Sequence, residues 1–271
     1  MTTPCEVHIY HPNEAYARQT AQAILMMAKG LETKYNFYNP NSYLSALNQR
    51  STNKLDSQSK DLLNRAKLFY GKTNGIFDIT MGTLTQARKQ KTVLEVEEAV
   101  AHLKPFVGVE HFKIKKDKLI FDNPHTRIDL GGFVKEYAVD QAVKILKKHK
   151  ISSALVNFGG DIYALGSKPN GEFFSIGIKN PLNPKEYICY EKIRNQALTT
   201  SASYERSYRV EGKEYSHIIS KENVEKEIIS ATVISSSTVE SGVFSTALML
   251  EPTLSCNLKK ILITKELRLL T

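Results

Sequence analysis

The stretch RIDLGGFVKEYAVDQAVKILKK, residues 127–148, constrains the chain more than any other. Ile128 and Leu130 read as the end of a buried strand, Gly131-Gly132 as a tight turn, and the remainder as an amphipathic helix. Val134, Ala138, Ala142 and Ile145 recur at helical spacing, so one face of that helix is expected inside. Asp129 precedes the turn and Lys135 falls in the first helical turn, where a cation opposes the helix dipole. That placement leaves two readings open, an ordinary strand-turn-helix connection or a turn that receives an anionic ligand.

Around this stretch the pattern alternates between helices and short strands. Residues 6–10 alternate as a strand, and Asn13 caps a helix through Lys34 whose inner face is Ala17, Ala21, Ile24, Leu25, Ala28 and Leu31. Ser42 caps a short helix ending at Asn48, and a second helix over 59–70 buries Leu62, Leu63, Ala66 and Phe69. Thr92 with Glu95 forms a capping box, and 112–121 reads as a hairpin around Lys116-Asp117-Lys118. The second half is strand-rich, with runs at 154–158, 162–165, 173–178, 187–193, 197–208, 215–219 and 229–235. A packed helix over 241–250 and a short hairpin at 261–270 close the chain. No repeat or linker divides the 271 residues. The expectation is one α+β domain spanning 1–271, with mixed or antiparallel sheets flanked by helices and room for two lobes.

Three scattered cysteines suggest neither a disulfide framework nor a metal site, and no run is long enough for a transmembrane segment. The start lacks a basic region followed by an apolar run, so a cytoplasmic location is expected as the chain stands, or a periplasmic one if an export signal was trimmed. A net charge of +9 suggests acidic or phosphorylated partners. Nucleic acid is disfavoured, because the basic residues are dispersed and not interleaved with aromatics.

Seven blocks, taken together, resemble the ApbE-type flavin transferases: YNPNSYLSALN, NGIFDITMGTL, IDLGGFVKEYAVD, ALVNFGGDIYALG, ALTTSASYERSY, EYSHIIS and SGVFSTALML. The resemblance implies an FAD:protein FMN transferase, which cuts FAD with the help of Mg2+ and attaches FMN to a threonine of an acceptor flavoprotein. Such an acceptor would be a subunit of a redox-driven ion-pumping or respiratory complex. By position, Tyr38, Ile76, Phe77 and Asp78 would border the flavin, and Asp129 with Lys135 would hold the cofactor. The Gly132 carbonyl and the Thr246 hydroxyl would face the metal, and His217 would take the proton of the acceptor hydroxyl. Asp161 reads as a cap for the neighbouring Gly159-Gly160 turn.

The chain also departs from that pattern. Gly242 stands where the family carries a metal-binding aspartate, Glu136 where a glycine usually follows the lysine, and Ser220-Lys221-Glu222-Asn223 where a D-P-x-T-G segment follows the histidine. Hard divalent ions depend on carboxylate oxygen, so loss of the aspartate is expected to weaken metal binding. The alternative is a non-catalytic relative that binds FAD or a partner. Glu240, two residues before Gly242, is the first candidate replacement.

Overall fold

The computed structural model describes residues 3–85, 87, 90–183, 185–202, 207–216 and 227–271. In chain order the elements are β1 (Cys5–Ile9), α1 (Glu14–Tyr35), α2 (Tyr43–Asn48), α3 (Ser57–Lys72), α4 (Gly82–Thr85), α5 (Val93–Leu103), β2 (Phe112–Lys115) and β3 (Lys118–Phe121). There follow α6 (Val134–Lys148), β4 (Ala154–Phe158), β5 (Asp161–Leu165), β6 (Phe174–Lys179), β7 (Tyr187–Ile193) and β8 (Gln196–Ala202). The last are β9 (Ser207–Val210), β10 (Lys213–Ser216), β11 (Ile228–Ser235), α7 (Thr238–Leu250), β12 (Lys259–Thr264) and β13 (Leu269–Leu270). The expected mix of helices and antiparallel sheet is what forms. The chain divides into two compact units, the first comprising Met1–Thr33, Gly132–Ala202 and Lys226–Thr271, the second Lys34–Gly131 and Ser203–Glu225.

The first unit is built on an antiparallel sheet in the order β1-β4-β5-β8-β11-β12-β13. Side chains alternate across a strand, so each face needs its own cover. The β6–β7 hairpin supplies one, packing Phe174, Ile176 and Ile193 on Ala164, Leu198 and Ile234. The opposite face carries Ala154, Val156 and Phe158, all fully buried, and receives α6 and α7. Asn13 caps α1 through Oδ1, which accepts the Tyr16 amide at 3.0 Å. Ile24, Ala28 and Leu31 are buried as expected, but Leu25 is 42% exposed. The inner stripe runs through Thr20 and Ile24, and Leu25 falls just outside it.

In the second unit local signals and structure agree closely. Ser42 caps α2 by accepting the Ser45 amide at 3.0 Å, Thr92 and Glu95 form their reciprocal box on α5, and Lys116 takes a φ of 53° in the β2–β3 turn. The expected strand at Ile128 and Leu130 does not form. Both residues are buried, yet the segment joins no ladder. Asn48, itself buried, does the pairing instead. Its Nδ2 donates to the Ile128 carbonyl and its Oδ1 accepts the Ile128 amide, each at 2.8 Å. Thr83 Oγ1 accepts the Arg127 amide at 2.9 Å, and the Ile79 carbonyl accepts the Asp129 amide at 2.7 Å. A buried backbone is thus satisfied without a neighbouring strand.

Candidate active site

The residues singled out by sequence fall into two groups, one in each unit. In the first unit, α6 begins at Val134, and its opening turn carries Lys135 and Glu136. Lys135 Nζ lies 2.9 Å from Asp161 Oδ2 at the start of β5, where the aspartate is almost fully buried. An anion for Lys135 is therefore on the chain itself, which answers the unfavourable dipole placement without an external ligand. Asn157 caps the Gly159-Gly160 turn, its Oδ1 accepting the Gly160 amide at 2.9 Å, whereas Asp161 was expected there.

Glu136 points into the protein and is only 6% exposed. Burial, and after it the negative charge of Asp161, push its carboxyl well above the usual carboxylate range, with Lys135 pulling the other way. Its Oε2 has no hydrogen-bond partner among the described residues. The neighbour on α7 is Gly242. A Cβ placed there would lie 2.5 Å from Glu136 Cγ, 3.2 Å from Cδ and 3.3 Å from Oε1. The glutamate side chain occupies the space that any side chain at 242 would need.

The face of α7 toward the sheet is lined with hydroxyls. Thr199 and Ser241 meet at 2.8 Å, Ser201 and Ser245 at 2.8 Å, and Ser201 and Thr246 at 3.1 Å. The N-terminus of α7 is held by Asp140 of α6, whose Oδ1 accepts the Thr238 amide at 2.7 Å and Oδ2 the Val239 amide at 3.2 Å. Burial raises the Asp140 carboxyl, and these two amides oppose the rise. Glu240 leaves α7 about 200° around the axis from Gly242, on a different side of the helix. Gly242 and Thr246, four residues apart, share a face.

In the second unit, Asp78 is buried and caps a 3-10 turn over Ile79–Met81. Its Oδ1 accepts the Thr80 amide at 2.8 Å and the Thr80 hydroxyl at 2.6 Å. Phe77 is buried, Ile76 half-buried, and Tyr38 is 73% exposed with its ring edge-on to Phe37. Asp129 Oδ1 accepts the Gly131 amide at 2.8 Å, so the aspartate itself shapes the turn, and neither Gly131 nor Gly132 takes a positive φ. Gly82 is pressed against this turn, where an added Cβ would lie 2.9 Å from that of Asp129. His217 and the segment after it lie outside the described residues.

No three His, Cys, Asp or Glu side chains gather into a metal-binding group among the described residues. A magnesium site needs fewer, since that ion accepts carbonyl, hydroxyl and water oxygens beside one or two carboxylates. The Gly132 carbonyl is on an exposed residue, Thr246 offers a half-buried hydroxyl, and Glu136 Oε2 is a buried oxygen without a partner. All three are oxygens of the kinds a hard divalent cation accepts.

Comparison with known proteins decides the family. The family model described as "ApbE family" matches residues 1–257. The chain belongs to the ApbE family. Among its relatives, the FAD:protein FMN transferase of Escherichia coli K12 is 26% identical over 202 residues, covering 70% of this chain and 58% of that protein. This chain therefore spans less than two thirds of that relative's length. The FAD:protein FMN transferase of Vibrio cholerae is 25% identical over 255 residues, covering 89% of this chain and 76% of that protein. A crystal structure of the ApbE protein of Thermotoga maritima superposes with a TM-score of 0.85 at 22% identity, covering 99% of this chain and 96% of that one. That likeness concerns the fold.

Sequence reasoning singled out Lys135, Thr246 and Gly242 and took Glu136 only as a departure from the family pattern. It named neither Asp140, which holds the start of α7, nor Ser201, which meets Ser245 and Thr246. The signal for Glu136 was present, since an extra carboxylate at 136 and a missing one at 242 are complementary changes.

Proposed function

We propose that this chain is an FAD:protein FMN transferase built as a single ApbE-type domain. The observation that carries the reading is the match along 89% of the chain to a protein of that activity. FAD would be the donor substrate. The acceptor threonine oxygen attacks the phosphorus of the FMN moiety, the pyrophosphate bond breaks, and AMP departs with the bridging oxygen. His217 takes the threonine proton. Tyr38, Ile76, Phe77 and Asp78 line the flavin, and Asp129 with Lys135 positions the cofactor. The Gly132 carbonyl and Thr246 hydroxyl would hold Mg2+ against the phosphates. The bound ion supplies positive charge that offsets the charge of the transferring phosphoryl group. The acceptor is a flavoprotein, and we place it among the subunits of redox-driven ion-pumping or respiratory complexes.

Incubation of the chain with FAD, MgCl2 and an acceptor carrying a threonine in a flavinylation motif tests this reading. Intact-mass spectrometry should show the acceptor gaining one FMN. His217→Ala should lower the rate by about 10²–10⁴-fold while FAD binding persists. An acceptor of unchanged mass, with AMP absent from the supernatant, would remove the activity.

A further inference from the structure

The start of α6 and the middle of α7 form an exchange of one carboxylate between two helices. Glu136 lies in the first turn of α6, and its side chain crosses the space above Gly242 on α7. The two positions exclude each other, because a Cβ at 242 would sit 2.5 Å from Glu136 Cγ. With Glu136 in this rotamer only glycine fits at 242, and Glu136 Oε1 lies 3.3 Å from where a Cβ there would sit, on the face that Gly242 shares with Thr246. Glu240 is poorly placed for that task, being on another side of the helix.

Burying a carboxylate beside a second one is costly unless a cation or hydrogen bonds compensate. Lys135 faces Asp161 at 2.9 Å, so the one cation of the cluster is already engaged by that carboxylate. Glu136 Oε2 is buried and has no hydrogen-bond partner among the described residues, and its carboxyl faces that of Asp161. Neither observation depends on the sequence pattern of relatives. We propose that Glu136 supplies the carboxylate of a divalent-cation site on the Gly242–Thr246 face of α7, delivered from α6 because position 242 carries none. Its meaning for catalysis rests on the transferase reading, but the site itself does not. Glu136 is then a ligand and Gly242 the clearance it requires. The departure at 242 is compensated within the unit, and the metal-dependent chemistry is retained.

The test is direct titration of the purified chain with MnCl2, followed by electron paramagnetic resonance of free Mn2+, with MgCl2 as competitor. The parent should bind one ion that MgCl2 displaces. Glu136→Gln keeps the shape of the side chain and removes the charge, and it should weaken Mn2+ by about 10-fold or more with circular dichroism unchanged. A merely structural glutamate would leave Mn2+ affinity unmoved. Glu136→Gly combined with Gly242→Asp moves the carboxylate to α7 and should restore affinity to near the parent's value. Should that double variant not fold, the Gln variant decides alone. A parent that takes up no Mn2+, or a folded Glu136→Gln chain that binds as the parent does, overturns the proposal. A parallel flavin-fluorescence titration with FAD separates the two claims. Mn2+ binding that follows the pattern above with no FAD binding upholds the cation site and removes the transferase reading.

Discussion

The acidic side chains of the two units do different work. In the second unit, Asp78 and Asp129 spend an oxygen on amides two residues ahead, shaping the turns in which they sit. In the first unit, Glu136 is driven into the interior against Asp161 and over Gly242, and caps no turn. Carboxylates of the first kind stabilise the fold that surrounds them. The second kind costs stability unless a cation compensates it, which is the role proposed above for the divalent ion. The same contrast separates Asp140, whose two oxygens cap α7, from Glu136 one turn earlier on the same helix.

That difference can be broken most sharply at the contact itself. Gly242→Asp alone should destabilise the chain by about 3 kcal/mol or more in urea denaturation, since overpacking and a further buried carboxylate act together. Adding Glu136→Gly should recover most of the loss. If the single variant is as stable as the parent, the two side chains do not compete for one space. Next in size, Asn48→Ala strips both hydrogen bonds from Ile128 and leaves a buried amide and carbonyl unpaired, a loss of about 2–4 kcal/mol by the same assay. Asp78→Ala removes a cap and should cost about 1 kcal/mol.

Much of this was legible in the sequence. Caps and helix faces are local, so Ser42, Thr92 with Glu95, and the Leu62–Phe69 stripe could be read directly. What failed involved partners far apart in the chain. The apolar alternation at Ile128 and Leu130 reported burial correctly but not that Asn48 would replace a strand. Leu25 matched the helical period and sits at the edge of the buried stripe, where packing and not periodicity decides. Glu136 and Gly242 were each visible as departures, but their contact is legible only in the packing.

The smallest expected effect carries the opposite sign. Glu136→Gln should stabilise the chain by about 1 kcal/mol at neutral pH in EDTA, because the parent must take up a proton on that buried carboxyl to fold, whereas the glutamine is already neutral. The sign of its pH dependence follows from the raised carboxyl. Between the ordinary glutamate value and the raised one, the folded chain binds more protons than the unfolded chain, so parent stability falls as pH rises through that window. The Gln variant should lack this slope, and urea midpoints measured from acid to neutral pH would reveal it. A destabilised Gln variant with the slope intact would put Glu136 among the structural carboxylates, with Asp78 and Asp140.

The most direct measurement is anomalous diffraction from crystals of the parent chain grown with MnCl2. A manganese peak in direct contact with the Glu136 carboxylate, on the face shared by Gly242 and Thr246, is the predicted result. A peak coordinated by Glu240 or by other groups, with Glu136 unengaged, would contradict it.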